Sequence, residues 1–300
     1  MKNNADIILG HFLALFTAFI WGTTLISTKI LLKEFQPVEI LFFRFVIALA
    51  FLWGINPGTK QKITLKQRLT LIFAGLTGIC LYYLLENTAL IYTLASNVGV
   101  ISCIAPMFTA VLMFMFFKNR EKLSLNFIIG FFISITGISF IAFNGASIHL
   151  NPLGDILALC AAIVWAIYSI LIKKLYDYGF STLYITQRTF LYGTLLMLPF
   201  LIFYNFHLGL ERFLSPVNTF NIIFLGLLAS AVCFATWSKT IKLLGAIKSS
   251  AYIYLIPVIT LISAIIILKE PVSKLLILGT VLTLSGLIIS EFNNKKIIRK

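Results

Sequence analysis

Ionisable and aromatic side chains interrupt one of the long apolar stretches of this sequence. Tyr82 and Tyr83 stand shortly before Glu86 and Asn87, far from either end of the stretch. A carboxyl group at that depth in an apolar helix is costly unless it is paired, protonated or hydrated. Glu86 is therefore a candidate to bind a substrate amine or exchange a proton, and its three neighbours are candidates to line the same site. The alternative is a fixed pair with an Arg or Lys elsewhere in the protein.

Two arginines also lie inside apolar stretches, Arg44 in one and Arg188 in another. A guanidinium at such a position could bind a substrate carboxylate, and Gln187 would add a second polar group beside Arg188. The alternative is that both arginines snorkel or form structural pairs, with Glu39 as a candidate partner of Arg44.

A polar and aromatic face is the third feature that could contact a substrate. Trp21, Thr24 and Thr28 recur about one helical turn apart, so they share a face. The corresponding face of a later stretch carries Trp165 and Tyr168. Hydroxyl and indole N–H groups would lack partners in lipid, so both faces are expected to point into the protein. They either contact a substrate or hydrogen-bond between helices.

Membrane helices must position these residues. Of the 300 residues, 60% are hydrophobic and only 11% are charged, and the mean hydropathy is +1.00. Apolar runs of about 18 or more residues indicate membrane helices. The runs predict an all-α membrane protein with ten transmembrane helices at 9–32, 37–56, 69–92, 96–117, 125–144, 153–173, 182–206, 220–240, 249–268 and 273–292.

The basic residues orient these helices. Most of the 24 Lys and Arg residues fall in the connections on one face of the predicted bundle. Cationic loops stay in the cytoplasm, so both termini are predicted to be cytoplasmic. The net charge of +14 is thereby explained by membrane topology, and no nucleic-acid partner is expected.

The two halves of the chain resemble each other. Segment 9–44 matches segment 153–188 without a gap, and Trp21, Lys29 and Arg44 recur as Trp165, Lys173 and Arg188. The predicted orientation gives the matching helices opposite directions. Residues 1–145 and 150–300 are therefore predicted to be inverted repeats of five helices each, an arrangement typical of secondary transporters.

Proline and small residues repeat too, with a small gap. Pro106 and Pro257 stand within predicted helices, where each frees a backbone carbonyl, so they are candidate hinges or else static kinks. Small residues one turn apart let two membrane helices approach closely. The predicted helices 125–144 and 273–292 carry two matching sets and are expected to pack, through Gly130, Ser134 and Gly137, and Gly279, Thr283 and Gly286.

No cofactor or metal is expected. The four cysteines fall inside predicted helices without CxxC spacing, and the three histidines are scattered. The sequence has no Walker motif for ATP, and no HExxH or GxSxG motif of a hydrolase.

These residues resemble the drug/metabolite transporter superfamily, specifically its ten-span EamA-type members, over essentially the whole chain. The motifs that carry the resemblance are Trp21-Gly22, Lys29, Pro37, Arg44-Phe45, Ala89-Leu90-Ile91-Tyr92, Pro106, Glu121, Gly130 and Gly137, then Trp165, Tyr168, Arg188, Pro257, Glu270, Gly279 and Gly286. Arg120 and Lys269 depart from the family's pattern, because each replaces the glycine that precedes the Glu.

The resemblance implies a bundle of helices from both halves around a central cavity. Together with the inverted repeat, it favours a secondary active transporter that exports amino acids, related metabolites or drugs by alternating access. A small-molecule substrate, membrane lipids and protons as a candidate coupling ion are the partners implied, and a monomer would suffice. An abundance of Phe, Ile, Lys and Asn favours a bacterial plasma (inner) membrane. The alternatives are a non-transporting membrane sensor or a membrane-embedded enzyme without a known motif.

Overall fold

Helices make up almost all of the regular structure. The computed structural model describes residues 4–55, 61–116, 125–143, 152–244 and 251–291, and these contain no β-strand. The prediction of an all-α membrane protein is confirmed. Glu121 and residues 144–151, where the two predicted repeats meet, lie outside the described residues, as do both chain ends.

Eleven helices follow one another along the described chain. In order, they are α1 (Asn4–Leu31), α2 (Pro37–Ile55), α3 (Leu65–Tyr92), α4 (Ala95–Ser102), α5 (Ala105–Phe116), α6 (Leu125–Phe143), α7 (Pro152–Asp177), α8 (Thr182–Phe203), α9 (216–244), α10 (251–268) and α11 (Lys274–Glu291). A 3₁₀ turn, Leu210–Leu214, stands between α8 and α9.

Six helical segments of the described chain are long and apolar enough to cross a membrane by length and composition: α1, α2, α3, α7, α8 and the part of α9 from Pro216 to Trp237. The other apolar helices are shorter. Ten crossings, the direction of each and the cytoplasmic termini stay predictions.

Helix α3 begins earlier than its apolar run indicates. Predicted to start at residue 69, it starts at Leu65, because Thr64 and Gln67 form a capping box. The Gln67 backbone N–H donates to Thr64 Oγ1 over 3.3 Å, and the Thr64 N–H donates to Gln67 Oε1 over 2.9 Å. Such a box stabilises the first turn of the helix. The residues of that turn are mostly polar, so the apolar run does not include them.

Two long helices contain π-helical turns. Leu76–Leu81 of α3 and Phe224–Val232 of α9 are wound more widely than an α-helix. A π-turn inserts an extra residue and changes which side chains face inward beyond it. The register of α3 and α9 therefore differs from that of a continuous α-helix.

Each of the two prolines is the second residue of an α-helical segment. The chain turns at Cys103 and Ile104, and Pro106 is the second residue of α5. In α10 a 3₁₀ turn, Ala251–Leu255, precedes an α-helical part in which Pro257 is also second. Neither proline thus lies in the middle of an uninterrupted α-helix, and their roles as hinges or static kinks stay predictions. Proline is tolerated here because the N–H it lacks has no partner in a first turn.

Helices α6 and α11 pack through their small residues. An added Cβ atom at Gly137 would lie 2.6 Å from the carbonyl oxygen of Gly279, and one at Gly130 would overlap that of Gly286. Ser134 Oγ donates to the carbonyl of Thr283 over 3.0 Å. The structure therefore brings together the two sets of small residues noted in the sequence, at backbone contact distance.

Two of the polar links between the first half of the chain and the second are made by glutamates. Arg212 Nη1 lies 2.7 Å from Glu39 Oε2. Glu270 accepts hydrogen bonds from the backbone N–H groups of Ala95 and Ser96 at the start of α4, over 2.8 and 3.2 Å. The suggested pairing of Glu39 with Arg44 is wrong, because the 3₁₀ turn brings Arg212 over the start of α2.

Candidate functional site

A cavity of about 140 Å³ lies between the two halves. The first half contributes most of its wall, and the residues that line it are Trp21, Thr24, Leu25, Arg44, Tyr82, Tyr83, Glu86, Gly99, Ser102, Cys103 and Ala105 from the first half and Trp165, Phe234, Ile253 and Ile256 from the second. The structure therefore brings together seven residues predicted from sequence: Trp21, Thr24, Arg44, Tyr82, Tyr83, Glu86 and Trp165.

Arg44 is held rigidly at the cavity wall. Its Nε donates to Ser230 Oγ over 2.7 Å, and its Nη2 donates to the Tyr83 hydroxyl over 3.3 Å. The guanidinium carbon also lies 4.3 Å from the centre of the Tyr83 ring. Within the described part of the chain, the remaining guanidinium N–H groups have no hydrogen-bond acceptor. They are available to an anion in the cavity.

Ser230 owes its position to the π-turn of α9. Its hydroxyl donates to the carbonyl of Leu225, five residues earlier, over 2.8 Å. That bond orients the Ser230 oxygen so that its lone pairs receive Arg44 Nε. The side chain is fully buried, so the pair is shielded from water.

Glu86 lies on the same cavity, and its hydrogen-bond partner among the described residues is a hydroxyl. The Tyr82 hydroxyl donates to Glu86 Oε1 over 2.6 Å, and the Glu86 residue is 6% exposed. Among the described residues no Lys or Arg forms a salt bridge with this carboxylate. The expected alternative, a fixed ion pair, is therefore not formed within them, and Oε2 is open to a ligand.

Aromatic rings enclose the space between these charges. Trp21 packs against Phe234 with ring centres 5.7 Å apart, and Tyr82 packs against Trp165 at 4.7 Å. The indole N–H of Trp21 donates to the carbonyl of Ala229 over 3.1 Å. Electrostatic interactions are strong in such an apolar enclosure, because little water screens them. A small solute with both an anionic and a cationic group would match it.

Three predicted residues lie away from the cavity in the body of the protein. Thr28 is 2% exposed, and Asn87 is fully buried with no hydrogen-bond partner for its amide among the described residues. Tyr168 packs its ring over Gly78, where a Cβ atom would overlap it. These residues share a helix with cavity residues but face other helices.

The second-half polar pair also lies outside the cavity wall. Gln187 Nε2 donates to the carbonyl of Leu52 over 2.9 Å. The guanidinium of Arg188 lies 5.3 Å from the ring centre of Tyr184, which precedes it by one turn of α8. Arg188 thus differs from Arg44 in its surroundings although the sequence repeats the residue.

Sequence reasoning did not find Ser102, Ser230 or Phe234. Each lies in an apolar stretch with nothing in its neighbourhood to single it out. For Ser102 alone, the repeat could have helped. It aligns Ser102 with Ile253 and so marks a position where the two halves differ in polarity.

The family model that describes EamA-like transporters matches residues 8–143 and again residues 152–292. This chain belongs to the EamA-like transporter family. The family's pattern thus occurs once in each half, over the helices that enclose the cavity.

Curated relatives of this EamA-like transporter align over nearly their whole length. An uncharacterized transporter of Archaeoglobus fulgidus is 28% identical over 92% of this chain and 95% of its own. An uncharacterized transporter of Bacillus subtilis, YyaM, is 25% identical over 92% and 93%. A probable terminal-alkyne amino-acid exporter of Streptantibioticus cattleyicolor is 24% identical over 91% and 90%.

A solved crystal structure has the same fold. It superposes on this EamA-like transporter with a TM-score of 0.65 and 17% identity, and the match covers 99% of both chains. Family and relatives together show an integral, multi-pass membrane protein that is a transporter of small molecules and not an enzyme. Its bacterial relatives support placement in the plasma (inner) membrane.

Proposed function

We propose that this EamA-like transporter is a secondary active exporter of small zwitterionic metabolites, amino acids or related compounds. The observation that carries the proposal is the presence of Arg44 and Glu86, opposite in charge and not paired with each other, on one small cavity. A substrate carboxylate would bind Arg44, and a substrate ammonium would bind Glu86. Both contacts are charge-assisted hydrogen bonds, which are the strong ones.

The size of the cavity limits the solute. A protein cavity of about 150 Å³ holds a benzene molecule, and this one measures about 140 Å³. A solute of about six to ten non-hydrogen atoms matches that volume, which includes the smaller amino acids. One relative is named as a probable terminal-alkyne amino-acid exporter, which supports the same chemical class.

The polarity of the walls indicates how such a solute would lie. Both charged residues of the lining belong to the first half, whereas the second half supplies Trp165, Phe234, Ile253 and Ile256. The charged head of an amino acid would therefore face the first half. Its side chain would lie against the apolar second half, where burial of apolar surface stabilises it.

Alternating access requires contacts between halves that form on one side and break on the other. In the predicted topology the links from Glu39 to Arg212 and from Glu270 to α4 both lie at the outer face. These links would close the cavity to the outside, so that export requires them to separate.

Protons are the proposed coupling ion, and Glu86 is the proposed site. A carboxyl group cannot hold a proton and pair with an ammonium ion at once, so the two compete. A proton that binds Glu86 when the cavity opens outward would displace the substrate amine there. Return of the protonated carrier and release of the proton inside would complete an exchange of one proton for one zwitterion.

Counterflow in liposomes tests the proposal. Purified protein would be reconstituted with an internal pool of one unlabelled amino acid, and uptake of the labelled compound followed with and without a pH gradient. Labelled alanine, valine, threonine and a cationic drug form the panel. Uptake of the amino acids that responds to the pH gradient supports the proposal. Counterflow of the drug alone would contradict the substrate class, and the absence of any pH response would contradict proton coupling.

A further inference from the structure

The helices on opposite sides of the cavity break at equivalent places. Helix α4 ends at Ser102, and α5 begins after a two-residue turn. In the second half the 3₁₀ turn of α10 ends at Leu255. Ile104-Ala105-Pro106 matches Leu255-Ile256-Pro257 in the repeat, and the same alignment pairs Ser102 with Ile253. Both members of that pair line the cavity.

Ser102 has an unused hydroxyl. Its Oγ is buried and has no hydrogen-bond partner among the residues that the structure describes. A serine inside a helix commonly satisfies its hydroxyl on the carbonyl four residues earlier. Ser139 does so over 2.9 Å, as does Ser169. A buried hydroxyl without a partner is unfavourable, so its presence at a cavity calls for an explanation.

The neighbourhood leaves the hydroxyl free to reach a ligand. Thr260 of α10 packs against Gly99, and Cys103 Sγ lies 3.4 Å from the Gly99 carbonyl. The carbonyl four residues before Ser102 is that of Val98, and among the described residues the Ser102 hydroxyl forms no hydrogen bond with it. Serine has three staggered rotamers, so the hydroxyl can turn about the Cα–Cβ bond to meet a group bound in the cavity that Ser102 lines.

We propose that Ser102 is a specificity-determining residue that hydrogen-bonds a polar group on the side chain of the transported solute. The inference rests on the proposed function, because it assumes that Arg44 and Glu86 already hold the carboxylate and the ammonium. A hydroxyl both donates and accepts, so a solute hydroxyl is the group it fits best. Ile253, at the equivalent place in the second half, contacts the apolar part of the same solute.

Threonine and valine form a probe pair of nearly equal shape that differs by a hydroxyl in place of a methyl group. Competition of each with labelled alanine, in liposomes that hold the purified protein, gives the two apparent affinities. The expected result for the wild-type protein is a preference for threonine of roughly 3- to 10-fold, the size of one hydrogen bond. Ser102→Ala should abolish that preference by weakening threonine and leaving valine unchanged.

Two further variants separate this role from a structural one. Ser102→Thr keeps the hydroxyl and should keep the preference. Ser139→Ala removes a helix hydroxyl that its own backbone satisfies outside the cavity and should change neither affinity. A preference that survives Ser102→Ala would overturn the inference while the proposed function stands, as would an equal loss of both affinities. Failure of the wild-type protein to exchange alanine, threonine or valine would instead overturn the proposed function and this inference with it.

Discussion

The two halves of this EamA-like transporter line one cavity with opposite chemistry. The first half contributes Arg44, Glu86 and Ser102, and the second contributes two isoleucines and two aromatic rings. The repeated Trp residues, Trp21 and Trp165, line both walls. Both halves therefore supply a tryptophan that encloses the cavity, whereas the charged residues of its wall come from the first half alone.

The repeated arginines show the same division. Arg44 is 2% exposed and bound to Ser230 and Tyr83 on the cavity wall. Arg188 lies over the Tyr184 ring away from the cavity. Equal residues at equivalent positions thus have different surroundings, so the repeat predicts where a residue lies along a helix but not what it contacts.

Replacement of each arginine by lysine tests most directly whether Arg44 and Arg188 differ in their contribution to transport. Arg44→Lys keeps the charge but loses the bonds made by the guanidinium fork. The transport efficiency, kcat/KM, for an amino acid should fall about 100-fold, since each hydrogen bond to a charged group contributes about 1.5–3 kcal/mol. Arg188→Lys should change it by less than about fivefold, because a ring contact is weaker. Equal losses in the two variants would show that both arginines serve the substrate.

Glu86→Gln tests the anionic member of the polar wall. The variant keeps the shape of the side chain but cannot pair with an ammonium or exchange a proton, so kcat/KM should fall roughly 30-fold. In the wild-type protein KM should decrease as rising pH removes the competing proton from Glu86, and in the variant KM should be independent of pH. Asp6→Asn, at the exposed start of α1, is the matched control. A pH profile that persists in Glu86→Gln would assign coupling to another group.

Ser230→Ala should loosen Arg44 without removing it. The loss of one hydrogen bond to the guanidinium should raise KM for a zwitterion about 10-fold and leave the maximal rate near the wild-type value. Ser139→Ala is again the control, as its hydroxyl bonds only its own helix. If Ser230→Ala lowers the maximal rate and leaves KM unchanged, Ser230 does not act through substrate binding.

The repeated tryptophans give the smallest expected difference. Trp21 donates its indole N–H to the Ala229 carbonyl across the halves, whereas no such bond of Trp165 occurs in the described residues. Trp21→Phe should therefore lower the free energy of unfolding by about 1 kcal/mol more than Trp165→Phe. The midpoints of thermal unfolding of the two variants measure this, and identical midpoints would remove the distinction.

Apolar runs were sufficient to predict an all-α membrane protein, and polar and aromatic residues within them indicated seven of the fifteen residues that line the cavity. Helical periodicity places Tyr168 on the face of Trp165 and Thr28 on the face of Trp21. The Tyr168 ring does lie against Trp165, with ring centres 4.9 Å apart, but neither Tyr168 nor Thr28 lines the cavity. That reasoning could not foresee that Gly78, which has no side chain, leaves room for the Tyr168 ring within the bundle. Periodicity predicts the face of a helix on which a side chain lies, but the neighbouring helix determines what that side chain contacts.

Register and long-range partners escaped prediction for a different reason. Ser230 faces Arg44 only because α9 widens into a π-turn from Phe224 to Val232, and hydropathy carries no sign of such a turn. Glu39 pairs with Arg212, which is distant in sequence and reaches it through a 3₁₀ turn. Contacts of this kind depend on how loops fold over helix ends, and that information is not in the apolar pattern.

The central claim is that Arg44 and Glu86, on one wall of the cavity, bind the carboxylate and the ammonium of the same zwitterion. Valine, isobutylamine and isovalerate share one apolar side chain. Valine carries both charges, isobutylamine carries only the ammonium, and isovalerate carries only the carboxylate. Titration of each into the purified protein, followed by tryptophan fluorescence, should show valine binding at least about 10-fold more tightly than either analogue, since each lost charge removes a charge-assisted hydrogen bond. Isobutylamine or isovalerate binding as tightly as valine would contradict the claim.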